Sequence, residues 1–137
     1  MSKIIQIHIE EKEQWNECVR SFNDYDVFYL NEYVLAFMNE NPKNGIPILL
    51  YYENGEERAI NVVFRRDVSS DEKMKGKIPT GEYFDLVSPY GYGGFFGNIT
   101  CYEELNRAYN DFCISHQYIC EFVRFELFCD YYSYYDG

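Results

Sequence analysis

Apolar residues first recur with a period of two. Ile5, Ile7 and Ile9 alternate with polar neighbours, which predicts an opening strand. The period then lengthens: Trp15, Cys18, Val19 and Phe22 share one face of a helix. Asp24 to Tyr29 forms an aromatic connector to a second, short helix with Val34, Phe37 and Met38 on its inner face. Asn31 stands where it would cap this helix, Leu30 and Leu35 where they would staple it, and Asn41, Pro42, Asn44 and Gly45 end it.

IPILLYYENGEERAINVVFRR reads as two strands around Asn54-Gly55, a step suited to the positive φ of a tight hairpin. In the second arm Ile60, Val62 and Phe64 alternate with Ala59, Asn61, Val63 and Arg65. That predicts one face buried against helices and the other half covered. Residues 67 to 80 are polar, Lys-rich and closed by Pro79, the composition of a mobile surface loop. A strand from about Tyr83 to Val87 follows. Thr100 to Glu103 has capping-box spacing, and Leu105, Ala108, Tyr109, Phe112 and Cys113 mark the inner face of a third helix. YICEFVRFEL, residues 118 to 127, is the last predicted strand. This order of elements predicts an α/β or α+β layer: a mostly antiparallel mixed sheet flanked by about three helices.

One stretch does not fit ordinary connections. FDLVSPYGYGGFFGN, residues 84 to 98, carries more Pro and Gly than a strand-to-helix loop needs, so its backbone reaches positive φ or lies close to another group.

Composition narrows the classes. With 137 residues, 47% apolar and 20% aromatic, the chain is long and apolar enough for one domain with a real core. A net charge of −11 argues against a surface that tracks nucleic-acid phosphates. Arg58, Arg65, Arg66, Lys73, Lys75 and Lys77 cluster in sequence, either as a solvated hairpin and loop or as a local anion site. The start, MSKIIQIHIEEK, is too short and polar for a signal peptide, and no run is long enough to cross a bilayer, so a cytoplasmic protein is expected. Cys18, Cys101, Cys113, Cys120 and Cys129 are odd in number and form no C-x-x-C, which fits reduced thiols. Cys113 and His116 form a C-x-x-H, but a metal centre would need further ligands such as Cys120 and His8, and buried Cys more often acts as a small hydrophobe. No metal is therefore expected.

Taken together, DVFYLNEYVLAF, the hairpin ending INVVFRR, YFDLVSPYGYGGFFGN, YNDFCISH and ICEFVRFEL resemble the N-terminal half of the GNAT-related acyltransferases. More narrowly, the chain is similar to the Fem-type aminoacyl transferases, which lengthen peptidoglycan cross-bridges. The resemblance spans about residues 25 to 127, and SPYGYGG and EFVRF are its most specific pieces. It implies that residues 1 to 137 form one GNAT-like lobe of a longer two-lobe protein, which receives an amine acceptor and is not catalytic without its C-terminal lobe. The second lobe of that chain and a small-molecule or peptide amine are the implied partners, and bacterial cell-wall chemistry is the implied setting. No cofactor is implied for this lobe; acyl-CoA or aminoacyl-tRNA would serve the full-length protein. The [Q/R]-x-x-G-x-[G/A] pattern of a pyrophosphate loop does not occur here, so the chain alone is not expected to hold an acyl-CoA.

Under this resemblance Pro89 to Gly94 would line the acceptor cleft. The substrate-side candidates are Tyr29, Arg65, Tyr90, Gly91, Tyr92, Gly93, Gly94, Glu121 and Arg124, and no catalytic base is assigned. Tyr90 and Tyr92 fit either a cleft wall or a core. Glu121 and Arg124, three apart on a predicted strand, would face opposite ways, with Arg124 either clamping an anion or forming an ion pair. Two features depart from the muramyl-peptide-using enzymes: residues 33 to 37 hold no Lys, and Asn98 stands where an acidic residue follows the glycine turn. These departures leave the substrate class open. A free-standing, non-catalytic protein-binding module of the same shape is the alternative.

Overall fold

The computed structural model describes residues 1–125, 132, 133 and 135. Its elements run β1 (Lys3–His8), α1 (Lys12–Arg20), α2 (Asn31–Glu40), β2 (Ile46–Asn54), β3 (Glu57–Asp67), β4 (Phe84–Val87), β5 (Phe96–Asn98), α3 (Tyr102–Ser115) and β6 (Tyr118–Phe122). The fold is α+β, a six-stranded mixed sheet with three helices. β1, β2, β3 and β4 pair antiparallel in that order, and β6 joins parallel to β4. The predicted last strand is therefore shorter than expected. It ends at Phe122, and residues 126 and 127 lie outside the described residues.

The hairpin forms at the expected place. Asn54 pairs with Glu57 across a two-residue turn, and of the turn residues Gly55 alone has positive φ, +63°, the pattern of a II′ turn. Its strands are covered on both faces, not one and a half. Leu49, Ile60, Val62 and Phe64 pack with Trp15, Val19 and Val34 from α1 and α2. Ile48, Leu50, Tyr52, Ala59 and Val63 pack on the other side with Leu105 and Tyr109 of α3. Each aliphatic or Phe side chain fully buried this way contributes about 1.5–3 kcal/mol, so the central hairpin anchors two cores at once. Trp15 satisfies its indole by donating to the Tyr29 carbonyl at 2.7 Å.

The helix starts differ from their sequence patterns because tertiary partners compete for the capping groups. Asn31 is the first residue of α2 and not its cap. Its amide donates to the Ile9 carbonyl at 2.9 Å, while Leu30 precedes the helix without a side-chain cap and Leu35 lies on the exposed side. Thr100 does not cap α3 either; Cys101 precedes the helix. The Glu57 carboxylate accepts from the Thr100 hydroxyl and from the backbone N–H groups of Thr100 and Cys101, the latter two at 2.8 and 3.1 Å. The polar segment after β3 is organised by Asp67, which accepts from Ser69 N–H at 2.9 Å and Gly81 N–H at 2.7 Å.

The sheet has one gap. On the edge of β3 away from β2, Arg58 to Ile60 pair with β5, and Phe64 to Asp67 pair with β4. Between them, opposite Asn61, Val62 and Val63, the chain from Ser88 to Phe95 leaves the ladder as the glycine bend. Gly91 has φ +105°, and a Cβ there would lie 2.6 Å from the Phe28 ring; a Cβ at Gly93 would lie 2.7 Å from Ser88 Oγ. At these two positions the close approach is made by the chain's own side chains. Gly91→Ala should therefore lower stability by about 2 kcal/mol through both φ strain and overlap. Urea unfolding measures this, and an unchanged midpoint would contradict the packing described.

Candidate functional site

The two sequence pieces SPYGYGG and EFVRF meet in space. Ser88 N–H donates to the Phe122 carbonyl at 2.9 Å, Arg124 N–H to Ser88 Oγ at 3.0 Å, and Gly93 N–H to the Arg124 carbonyl at 2.8 Å. Gly93 and Phe125 form an isolated parallel bridge. The bend thus exchanges its ladder with β3 for one with residues 122 to 125. From the α1/α2 side, Tyr29 donates to the Gly94 carbonyl at 2.9 Å and Tyr33 to the Tyr90 carbonyl at 2.7 Å. Backbone groups released by the break in the sheet are satisfied by these partners.

Asn61 fills the gap itself. It is fully buried on the α3 face, accepts from Gly94 N–H through Oδ1 at 3.2 Å and donates through Nδ2 to Glu121 Oε1 at 3.4 Å. Glu121 Oε2 accepts the hydroxyls of Tyr109, at 2.9 Å, and Tyr135. Burial holds the Glu121 carboxyl above the usual carboxylate range, against the opposing pull of these three donors. Burial and the neighbouring Glu121 also push the Tyr109 hydroxyl well up.

Glu121 lines a cavity of about 330 Å³ between α3 and β6. Tyr109, Cys113 and the amides of Asn106 and Asn110 form the helix side, Tyr118 to Glu121 the strand side, and Leu86 and Tyr135 complete the wall. The volume suits a small molecule at the low end of ligand pockets. A half-buried carboxyl whose ionised form is disfavoured is a better proton acceptor than an exposed one, and can also receive a cation as its counter-ion. Cys113 in the same wall is no nucleophile: burial, with Glu121 adding to it, raises its thiol to about 12.

The remaining sequence-predicted residues divide between the two faces of the sheet. Glu121 faces α3, and Arg124 lies beyond the end of β6, so the strand alternation expected to separate them does not extend that far. Arg124 is exposed, makes no ion pair among the described residues, and holds its guanidinium 5.9 Å from the centre of the Tyr90 ring. Tyr90 is 67% exposed and also faces Phe37, whereas Tyr92 is half-buried with its ring edge-on to Phe28 at 5.9 Å. Arg65, Leu86 and Glu121 stand in one row across β3, β4 and β6. Two strand spacings, roughly 10 Å, part the backbones of Arg65 and Glu121. The Arg65 guanidinium packs 4.9 Å over Phe84 and lies beside the Tyr118 hydroxyl. The structure therefore joins Tyr29, Gly93, Gly94, Arg124 and Glu121 through direct bonds and Asn61, while Arg65 stands apart beside Phe84 and Tyr118 and does not line the cavity.

Asn61 and Tyr109 are among the residues of this site missing from the sequence-based set. Asn61 has a visible signal, a lone amide inside the apolar run AINVVF. Tyr109 fits the inner face of a helix so well that its hydroxyl carries no separate signal. Cys113 and His116 do not converge with other ligands: among the described residues no group of three or more His, Cys, Asp or Glu is arranged to hold a metal ion. His116 Nδ1 lies 2.8 Å from the Phe112 carbonyl instead. No helix among the described residues is long and apolar enough to cross a membrane.

Because the folded carboxyl of Glu121 titrates above its unfolded range, the native chain holds more protons than the unfolded chain within that window. Stability therefore falls as pH rises through it. Glu121→Gln removes this titration, so the variant gains on the wild type as pH rises above the ordinary carboxylate range. Paired urea unfolding curves test this; a stability difference that does not change with pH would contradict the buried carboxyl.

No protein-family model, no curated protein and no solved structure matches this chain.

Proposed function

We propose that this chain is the amine-receiving half of an N-acyl or aminoacyl transferase of GNAT or Fem type, with the acceptor bound in the cavity beside Glu121. One observation supports the reading: a largely buried carboxyl, bonded through Asn61 to the bend that bears the family-like motif, lines a cavity of small-molecule size. An acceptor enters as an ammonium ion. Its first proton passes to Glu121, the freed amine forms a new N–C bond to the acyl carbon, the C–S or C–O bond of the donor breaks, and the second proton shed by the nitrogen goes to the departing thiol or alcohol. The donor belongs to a second lobe, since the pyrophosphate-loop pattern is not found in this sequence.

The wall suits an acceptor with an apolar stem. Leu86, Ile119, Tyr109 and Tyr118 offer hydrocarbon and ring surface, and Asn106 and Asn110 offer amides. A partner-binding role as a non-catalytic module is the second reading. It draws on Ile119 and Phe122, 55% and 61% exposed on β6, one of the two end strands of the sheet among the described residues.

Calorimetric and NMR titration with primary amines of increasing stem length, and with acetyl-CoA, separates the readings. The acceptor reading predicts amine binding that weakens about tenfold or more in Glu121→Gln, since a hydrogen bond to a charged group contributes about 1.5–3 kcal/mol. It predicts no acetyl-CoA binding by this chain alone. Amine affinity unchanged in Glu121→Gln, or no amine bound at all, would reject it.

A further inference from the structure

Asn61 connects the cavity to the glycine bend, and the chemistry of its amide fixes the direction of that connection. A backbone N–H can only donate, so the Asn61 atom facing Gly94 must be the acceptor Oδ1. This turns the donor Nδ2 toward Glu121 Oε1. A proton on Oε1 would face another N–H, which is unfavourable. Oε2 instead meets the hydroxyls of Tyr109 and Tyr135, and a hydroxyl can rotate from donating to accepting. The titratable groups facing Glu121 are thus Tyr109 and Cys113 from α3 and Tyr135 from the C-terminal segment, with the neutral Asn61 from β3.

We infer that Asn61 is a positioning residue: it directs the proton of Glu121 to Oε2 and transmits the charge state of that carboxyl to the backbone of the bend at Gly94. With Glu121 ionised, Nδ2–H is drawn to the carboxylate and the amide is polarised, which strengthens its acceptance from Gly94 N–H. With Glu121 neutral that pull weakens, and the Asn61–Gly94 bond loosens with it. Tyr29 holds the other side of the same peptide region through the Gly94 carbonyl, so the bend responds at a defined point. From the proposed function this takes only that Glu121 gains and loses a proton; it does not require an amine.

The test is NMR of the full chain across pH, following the Gly94 amide and the Glu121 side-chain carboxyl carbon. The expected result is one shared midpoint, with the Gly94 response lost in Glu121→Gln. In Asn61→Leu, Glu121 should still titrate while Gly94 falls silent. In Asn61→Asp the added carboxylate should move the Glu121 midpoint upward while still accepting from Gly94. Should Asn61→Leu fail to fold, the wild type and Glu121→Gln decide the matter. A Gly94 amide that ignores the Glu121 midpoint in the wild type, or keeps its response in Glu121→Gln, would overturn the inference. A Gly94 response without amine binding would uphold this relay and reject the acceptor role, and amine binding with a silent Gly94 would do the opposite.

Discussion

Asn61 occupies the one place where β3 lacks a strand on its second edge among the described residues, and much of the surrounding structure follows from that vacancy. An unpaired edge in the middle of a buried sheet would leave backbone groups of the bend without partners, at a cost of about 1–3 kcal/mol each. The chain meets this constraint with a side-chain amide: Asn61 accepts from Gly94 and donates to Glu121. Residues 122 to 125 and the hydroxyls of Tyr29 and Tyr33 take up the remaining groups. The glycine surplus belongs to this arrangement. The bend must turn back under Phe28 and over Ser88, where a side chain would collide.

This arrangement places a buried carboxyl on one face and aromatic packing on the other. Toward α1 and α2 the bend is backed by aromatic rings, with Tyr90 left exposed beside Arg124. Toward α3 the same backbone meets a carboxyl that burial makes reluctant to ionise, set in a cavity with tyrosine and asparagine walls. A carboxyl kept there lowers stability above the ordinary carboxylate range, offset in part by the bonds from Asn61, Tyr109 and Tyr135.

What the sequence reveals of this fold depends on how one-sided each burial is. α1 and α3 were legible because their apolar residues fall on single stripes, Trp15, Cys18 and Val19 in one case and Leu105, Tyr109 and Phe112 in the other. β3 was less so, since helices cover both of its faces and the alternation of Ala59 to Arg65 does not tell a half-covered face from a buried one. Capping patterns misled because Asn31 and Thr100 have bonding partners distant in sequence, Ile9 and Glu57. At the site, Glu121, Tyr29 and the glycines were named from the motif, but their meeting through Asn61 was not. Asn61 lies 60 residues from Glu121, and such a pairing exists only after the sheet has formed.

The central claim, that the bend is fixed by these bonds and not a loose loop, is tested most directly by amide hydrogen exchange. The account predicts that Ser88, Gly93, Gly94 and Arg124 exchange slowly, close to the rates of the β2–β3 hairpin, because each N–H has a named acceptor. Exchange at those four amides as fast as in an open surface loop would contradict it.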